Sequence, residues 1–215
     1  MSAKITWFAR AVCAAVVCVC LVAPAAAATT DTTDVWDISQ GNVVTGFWPS
    51  GLYEGSDVRN MFGGEFGTIE PGNTIFPDAG WLPGASFWVT WATPAVVELN
   101  RFVLSVGADG NYPESYNRAI RGFKLYASID GSTWGEPVYD SGPLTAPLGA
   151  PSGGMYYYIA DQTLATPVSS RHFKMEFICD TTTGPRIIEL DGYVPEPATL
   201  SLLAAAGLAL IRRRK

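Results

Sequence analysis

The chain has 215 residues, of which 48% are hydrophobic and 16% charged, with a formal net charge of −6. An apolar leader (residues 1–28) takes Lys4 and Arg10, and a tail from Glu196 takes Arg212, Arg213, Arg214 and Lys215. The body between them keeps eight basic and nineteen acidic side chains, a net charge of −11. Such a body repels polyphosphates, which excludes nucleic-acid binding, and 12% aromatics exclude a disordered chain. Its 167 residues suffice for one domain with a sizeable core and are too few for two.

The leader begins with a weakly basic stretch, continues as an apolar run from Ala11 to Val22, and ends in small residues from Ala23 to Ala28. That order predicts a secretory signal peptide over 1–28, cut before Thr29 after passage through the Sec export machinery. Cys13, Cys18 and Cys20 leave with it, so the exported chain keeps Cys179 alone and forms no internal disulfide.

The body, taken as one domain over 29–193, shows no helical apolar stripe of useful length. Short alternating runs punctuated by Gly, Pro, Asp and Asn replace it. In chain order, Phe87, Val89 and Trp91 share a strand face. So do Phe102, Leu104 and Val106, then Phe123, Leu125 and Ala127. Phe173, Met175 and Phe177 follow, and finally Ile188 and Leu190. Several short strands at this spacing predict an all-β sandwich or jelly roll. Asp130-Gly131 supplies the positive φ of a tight turn, with Trp134 expected to fold back as an apolar plug on the sheet end. Residues 141–154 read as a Pro/Gly-rich surface loop.

Phe87–Trp91 with Val97–Leu104, then Arg121–Trp134, and finally Arg171–Phe177 with Ile187–Tyr193 resemble, in order, the core strands of discoidin (coagulation-factor C-type) domains. The resemblance implies the galactose-binding-like jelly roll, with two antiparallel sheets face to face. Residues 56–83 depart from the first third of that family, where its ligand loops lie.

Beyond the body come Val194-Pro195-Glu196-Pro197, an uncharged run from Ala198 to Ile211, and the basic tail Arg212-Arg213-Arg214-Lys215. As a transmembrane helix, 198–211 rises only about 21 Å, against a hydrocarbon core of roughly 30 Å. Its basic end should stay cytoplasmic, which places everything upstream outside the inner membrane. Residues 194–215 resemble the PEP-CTERM sorting signal of Gram-negative bacteria. That resemblance implies recognition by an exosortase and removal of the tail near Pro195, Glu196 and Pro197, which are acted upon and perform no chemistry. It also implies a membrane-anchored precursor that ends at the cell surface or in a biofilm or exopolysaccharide matrix.

The supply of catalytic groups is thin. His172, the only histidine, falls with Lys174 and Glu176 on the strand face opposite Phe173 and Phe177, and Cys179 has no partner. Glu189 and Asp191 stand about 6.5–7 Å apart along one strand face, which leaves a glycosidase reading open. The discoidin resemblance gives Glu189 a second meaning, as a ligand of structural calcium with Asp57 and the carbonyls around Gly63-Gly64 as partners. Oxygen ligands from loops suit that hard cation. Trp48, Tyr53, Trp81, Tyr112 and Tyr116 sit among Pro and Gly, where exposed rings stack on the apolar faces of sugars; the other reading of each is that it packs over the end of the sandwich. The expected protein is not an enzyme but an exported glycan or exopolysaccharide binder. A structural matrix spacer without a small ligand is the alternative.

Overall fold

In the computed structural model, residues 34–64, 66, 72–78, 80–109, 117–144, 155–180 and 182–195 are described, with backbone alone for 155–158. The leader 1–28, Tyr112, Tyr116 and the sorting segment from Glu196 through Lys215 lie outside the described residues.

Seven strands carry the domain: β1 (Val43–Trp48), β2 (Thr74–Ile75), β3 (Ser86–Asp109), β4 (Ile120–Ser128), β5 (Tyr139–Asp140), β6 (Met155–Cys179) and β7 (Arg186–Tyr193). Every pairing is antiparallel. β3 and β6 are long enough to serve two layers. The first half of β3 lies between β1 and the second half of β6, which continues to β4 and β5. The second half of β3 lies between the first half of β6 and β7, which continues to β2. The β3–β6 register breaks between Ala92 and Val97 and again between Leu99 and Arg101. Pro94 sits in that break, where a missing N–H costs the ladder nothing.

The two layers face each other. Phe102 of the second layer meets Phe123 and Tyr139 of the first edge-on, at 6.2 and 5.2 Å between centroids. Phe87, Val89, Trp91, Leu104, Leu125, Phe173, Met175, Phe177 and Leu190 are buried with them. The period-two pattern therefore selects the inward face correctly along β3, β4 and β6. At Ile188 it does not. β7 skips a residue where Ser105 pairs Glu189 and Val106 pairs Ile187, so Ile187 is buried and Ile188 only half-buried. A bulge of this kind exchanges the faces on either side of it.

Two further placements differ from expectation or were not anticipated. Trp134 is half-buried and takes no part in the core, so it is not the expected plug. The turn before it is held by Asp130, whose carboxylate accepts from the Ser132 and Thr133 N–H groups and the Ser128 hydroxyl. These donors hold that carboxyl far below the usual carboxylate range. The aromatic that fills the core from outside the sheets is Trp36, wholly buried and edge-on to Trp91 at 4.8 Å. It is seated by a clip onto β7: Val35 N–H donates to the Gly192 carbonyl at 2.7 Å, and Asp34 accepts from the N–H groups of Trp36 and Gly192.

Candidate functional site

One end of the sandwich gathers both ends of β3, the starts of β4 and β7, the ends of β1 and β6, and the segment after β2. Arg118 sits at its centre, in the turn before β4, with φ at +69°. A non-glycine residue in that region persists only where its surroundings over-determine it, and here they do. Arg118 Nε donates to Asp109 Oδ2 at 3.0 Å and Nη2 to Asp78 Oδ2 at 2.7 Å. Nη1 reaches the carbonyls of Phe76 and Gly184. The backbone is fixed as well, through Arg118 N–H to Thr183 Oγ1 and Arg186 N–H to the Arg118 carbonyl. Arg186 Nη2 closes the network on Asp109 Oδ1 at 2.9 Å.

Arg118 and Arg186 are 7% and 3% exposed, whereas the carboxylates they hold are more than one-third open to solvent. Burial lowers the Arg186 guanidinium from its ordinary value. Tyr53, 40% exposed, lies with its ring 5.0 Å from the Arg118 guanidinium carbon. The result is a rigid polar floor beside an exposed ring, with acceptors facing outward. Such an arrangement can hydrogen-bond hydroxyls while an apolar face stacks.

The structure separates the aromatic candidates. Tyr53 belongs to this end. Trp81 is half-buried, donates its indole N–H to the Pro77 carbonyl and packs edge-on against Phe87 at 5.2 Å, so it is a packing residue. Trp48 is 48% exposed and stands opposite Trp88 in the β1–β3 ladder, on the outer face of the first layer. Leu82, 78% exposed in the loop before β3, was not singled out in the sequence. Nothing in its local pattern distinguishes it from a packing leucine.

The acidic candidates lie elsewhere. Glu189 is half-buried on β7 and accepts from the Gly63 N–H, so the final strand does meet the early loop. Burial, and then the Asp191 charge, push its carboxyl up to about 8. Asp57 is committed to another partner, forked by Arg59 through Nε at 3.0 Å and Nη2 at 2.8 Å. Among the described residues no group of three or more His, Cys, Asp or Glu side chains is arranged to hold a metal ion. The His172 ring packs beside Gly131, and Cys179 is buried with its thiol pushed up by that burial.

No curated protein matches the sequence. Among solved structures, the family 32 carbohydrate-binding module of Streptococcus pneumoniae EndoD superposes with a TM-score of 0.51 at 15% identity, covering 76% of this chain and all of that module. Allantoicase of Saccharomyces cerevisiae gives 0.50 at 13% identity, covering 76% of this chain and 43% of that enzyme. One similar structure is a binding module and the other an enzyme, and identities this low establish the fold alone. Residues 194–215 match the PEP-CTERM protein-sorting motif. The chain thus carries a PEP-CTERM sorting motif behind a β-sandwich with the galactose-binding-like fold of discoidin domains and family 32 carbohydrate-binding modules.

Proposed function

We propose that this is an exported, exosortase-processed surface or matrix protein, without catalytic activity, whose sandwich binds glycan at the loop end. The carrying observation is Tyr53 standing exposed over Arg118, with the outward carboxylates of Asp78 and Asp109 fixed beside it. The network is set before any ligand arrives, so binding forfeits little side-chain entropy there. The sorting motif supports the exported half of the reading. Intact-mass analysis of protein from its native host should show loss of residues 1–28 and of the segment beyond Pro195-Glu196-Pro197. A mature species retaining Arg212 to Lys215 argues for a simple tail anchor.

Glycan-array binding of the purified protein tests the other half. Tyr53→Ala should weaken retention about tenfold, a loss of about 1.4 kcal/mol, with the melting temperature unchanged. A protein that retains no glycan at all is the spacer of the alternative reading, and turnover of chromogenic glycosides would restore an enzyme.

Calcium is a separate proposal. Glu189, held against Gly63 and crowded by the Asp191 carboxylate, sits in an excess of negative charge that a divalent cation would offset, with the carbonyls around Gly63-Gly64 completing an oxygen set. Asp57 stays with Arg59. Calcium at one hundred times its dissociation constant should stabilise the fold by about 2.7 kcal/mol, and Glu189→Gln should remove most of that response. A melting temperature indifferent to calcium and chelator alike removes the proposal.

A further inference from the structure

The outer face of the first layer carries a row of side chains at right angles to its strands. Trp48 pairs with Trp88, Trp88 with Glu176, Glu176 with Lys124, and Lys124 with Asp140, so the row crosses β1, β3, β6, β4 and β5 in turn. Residues directly opposite in a ladder project to the same side, and neighbouring strands lie about 4.8 Å apart, which makes the row about 19 Å long. A second row runs beside it through Gly46, Thr90, Lys174 and Tyr126. The Trp88 ring lies close above Gly46: a Cβ there would stand in ordinary contact with its six-membered ring at 3.5 Å and 3.2 Å from the Thr90 hydroxyl. The indole edge therefore lies over the β1 backbone, beside exposed Trp48.

The polar part of the face is internally tied. The Lys124 ammonium meets Asp140 at 3.1 Å. Glu176 accepts from the hydroxyls of Ser86 and Tyr126, and the Lys174 ammonium lies 4.7 Å from the Tyr126 ring centroid. Beyond Lys124 the face continues into a pocket of about 240 Å³ lined by Arg121, Lys124, Asp140, Gly142, Pro143 and Ile178.

We propose that this face is a second binding site, for a linear, uncharged polysaccharide lying across the strands. Two indoles at one end offer stacking surfaces. The remainder offers hydroxyl, carboxylate and ammonium groups already held in place, at a length that takes several sugar units in succession. Charge decides the ligand class. Lysine and carboxylate on the face neutralise each other, and the body around them is strongly acidic, so a polyanion is repelled at long range. The face is also too polar beyond the two tryptophans to suit an apolar protein surface. Together with the loop end it would give one domain two glycan contacts pointing in different directions, able to join separate chains.

The test is affinity electrophoresis of the purified protein through gels containing hydroxyethylcellulose, galactomannan or alginate. Retardation is expected in the first two and not in alginate. Trp48→Ala and Trp88→Leu should each weaken it about tenfold. Trp48 is exposed enough that its variant should melt like the parent, which keeps the test valid if Trp88→Leu loosens the fold. Retardation by alginate equal to that by the neutral polymers overturns the inference. So does retardation that survives both tryptophan variants but fails in Tyr53→Ala, which leaves the loop-end reading intact. A self-associating protein that Trp48→Ala turns monomeric would make the face a contact between copies, and would also overturn it.

Discussion

Gly192→Ala places a methyl group 2.4 Å from the Trp36 indole. Neither side can yield cheaply. Trp36 is fully enclosed, with Trp91, Phe173 and Phe102 at 4.8, 5.3 and 6.5 Å between centroids. Gly192 is held in register opposite Phe102, and both its N–H and its carbonyl are bound by the Asp34–Val35 clip. Overpacking of this kind costs about 1–3 kcal/mol, and expulsion of the indole raises that to about 3–5 kcal/mol. We expect about 3 kcal/mol. In a domain of this size each kcal/mol lowers the melting temperature by about 2–4 °C, so the drop should be about 6–12 °C by calorimetry. Trp36→Leu should itself destabilise, but in that background Gly192→Ala should cost little, so the double-mutant cycle shows strong coupling. A fall of less than about 2 °C, or costs that simply add, would show that Trp36 does not use Gly192 as its seat.

Gly131→Ala should cost about 1–3 kcal/mol in urea unfolding, because Gly131 has φ +72° and a Cβ would lie 2.7 Å from His172 Nδ1. His172→Ala should recover only the steric part. Arg118→Met takes the guanidinium from Asp78 and leaves Asp109 with Arg186 alone; both carboxylates are partly open to water, so the expected loss is about 2–3 kcal/mol, below that of a fully enclosed pair. The pH dependence follows from Asp34, whose carboxyl is lifted by burial from 3.8 to about 7, against two backbone N–H donors. An acid raised in the folded state favours folding while protonated. Its contribution is whole below about pH 4 and is lost as the pH rises to about 7. In chelator, the melting temperature should fall across that window, with Glu189, raised to about 8, adding to the fall, and Asp34→Asn should remove only the Asp34 share; a parent protein that melts higher at pH 7.5 than at 4.5 contradicts the assignment.

What was legible in the sequence was whatever depends on alternation. Phe87, Val89 and Trp91, or Phe173, Met175 and Phe177, declare their face because a pleated strand leaves no choice. Ile188 was misjudged because a bulge is a property of two strands together, and the skip in β7 shows only against β3. Trp134 was misjudged because its burial depends on what the rest of the fold leaves uncovered, while local composition argues only for the turn. Trp36 carried no strand pattern at all, and its seat is made by a glycine in the last strand. The same separation explains the candidate site. Tyr53, Trp81 and Trp48 sit in similar Pro/Gly-rich company, yet one faces Arg118, one is packed on Phe87, and one stands beside Trp88. Arg118 itself was not anticipated, because its four oxygen partners come from three separate segments, two of them 40 or more residues away.

The clip between Asp34 and Gly192 spans 158 residues, and it sets an order in time. A chain that emerges amino end first presents Trp36 almost at once, but the residue that completes its seat arrives nearly last, just ahead of the sorting motif at 194–215. Loop closure over that span cannot be rewarded earlier by any shorter-range contact of Trp36 with β7. Trp36 is therefore sealed into the core only once β7 is in place. A chain that stops short of β7 would lack the seat of Trp36.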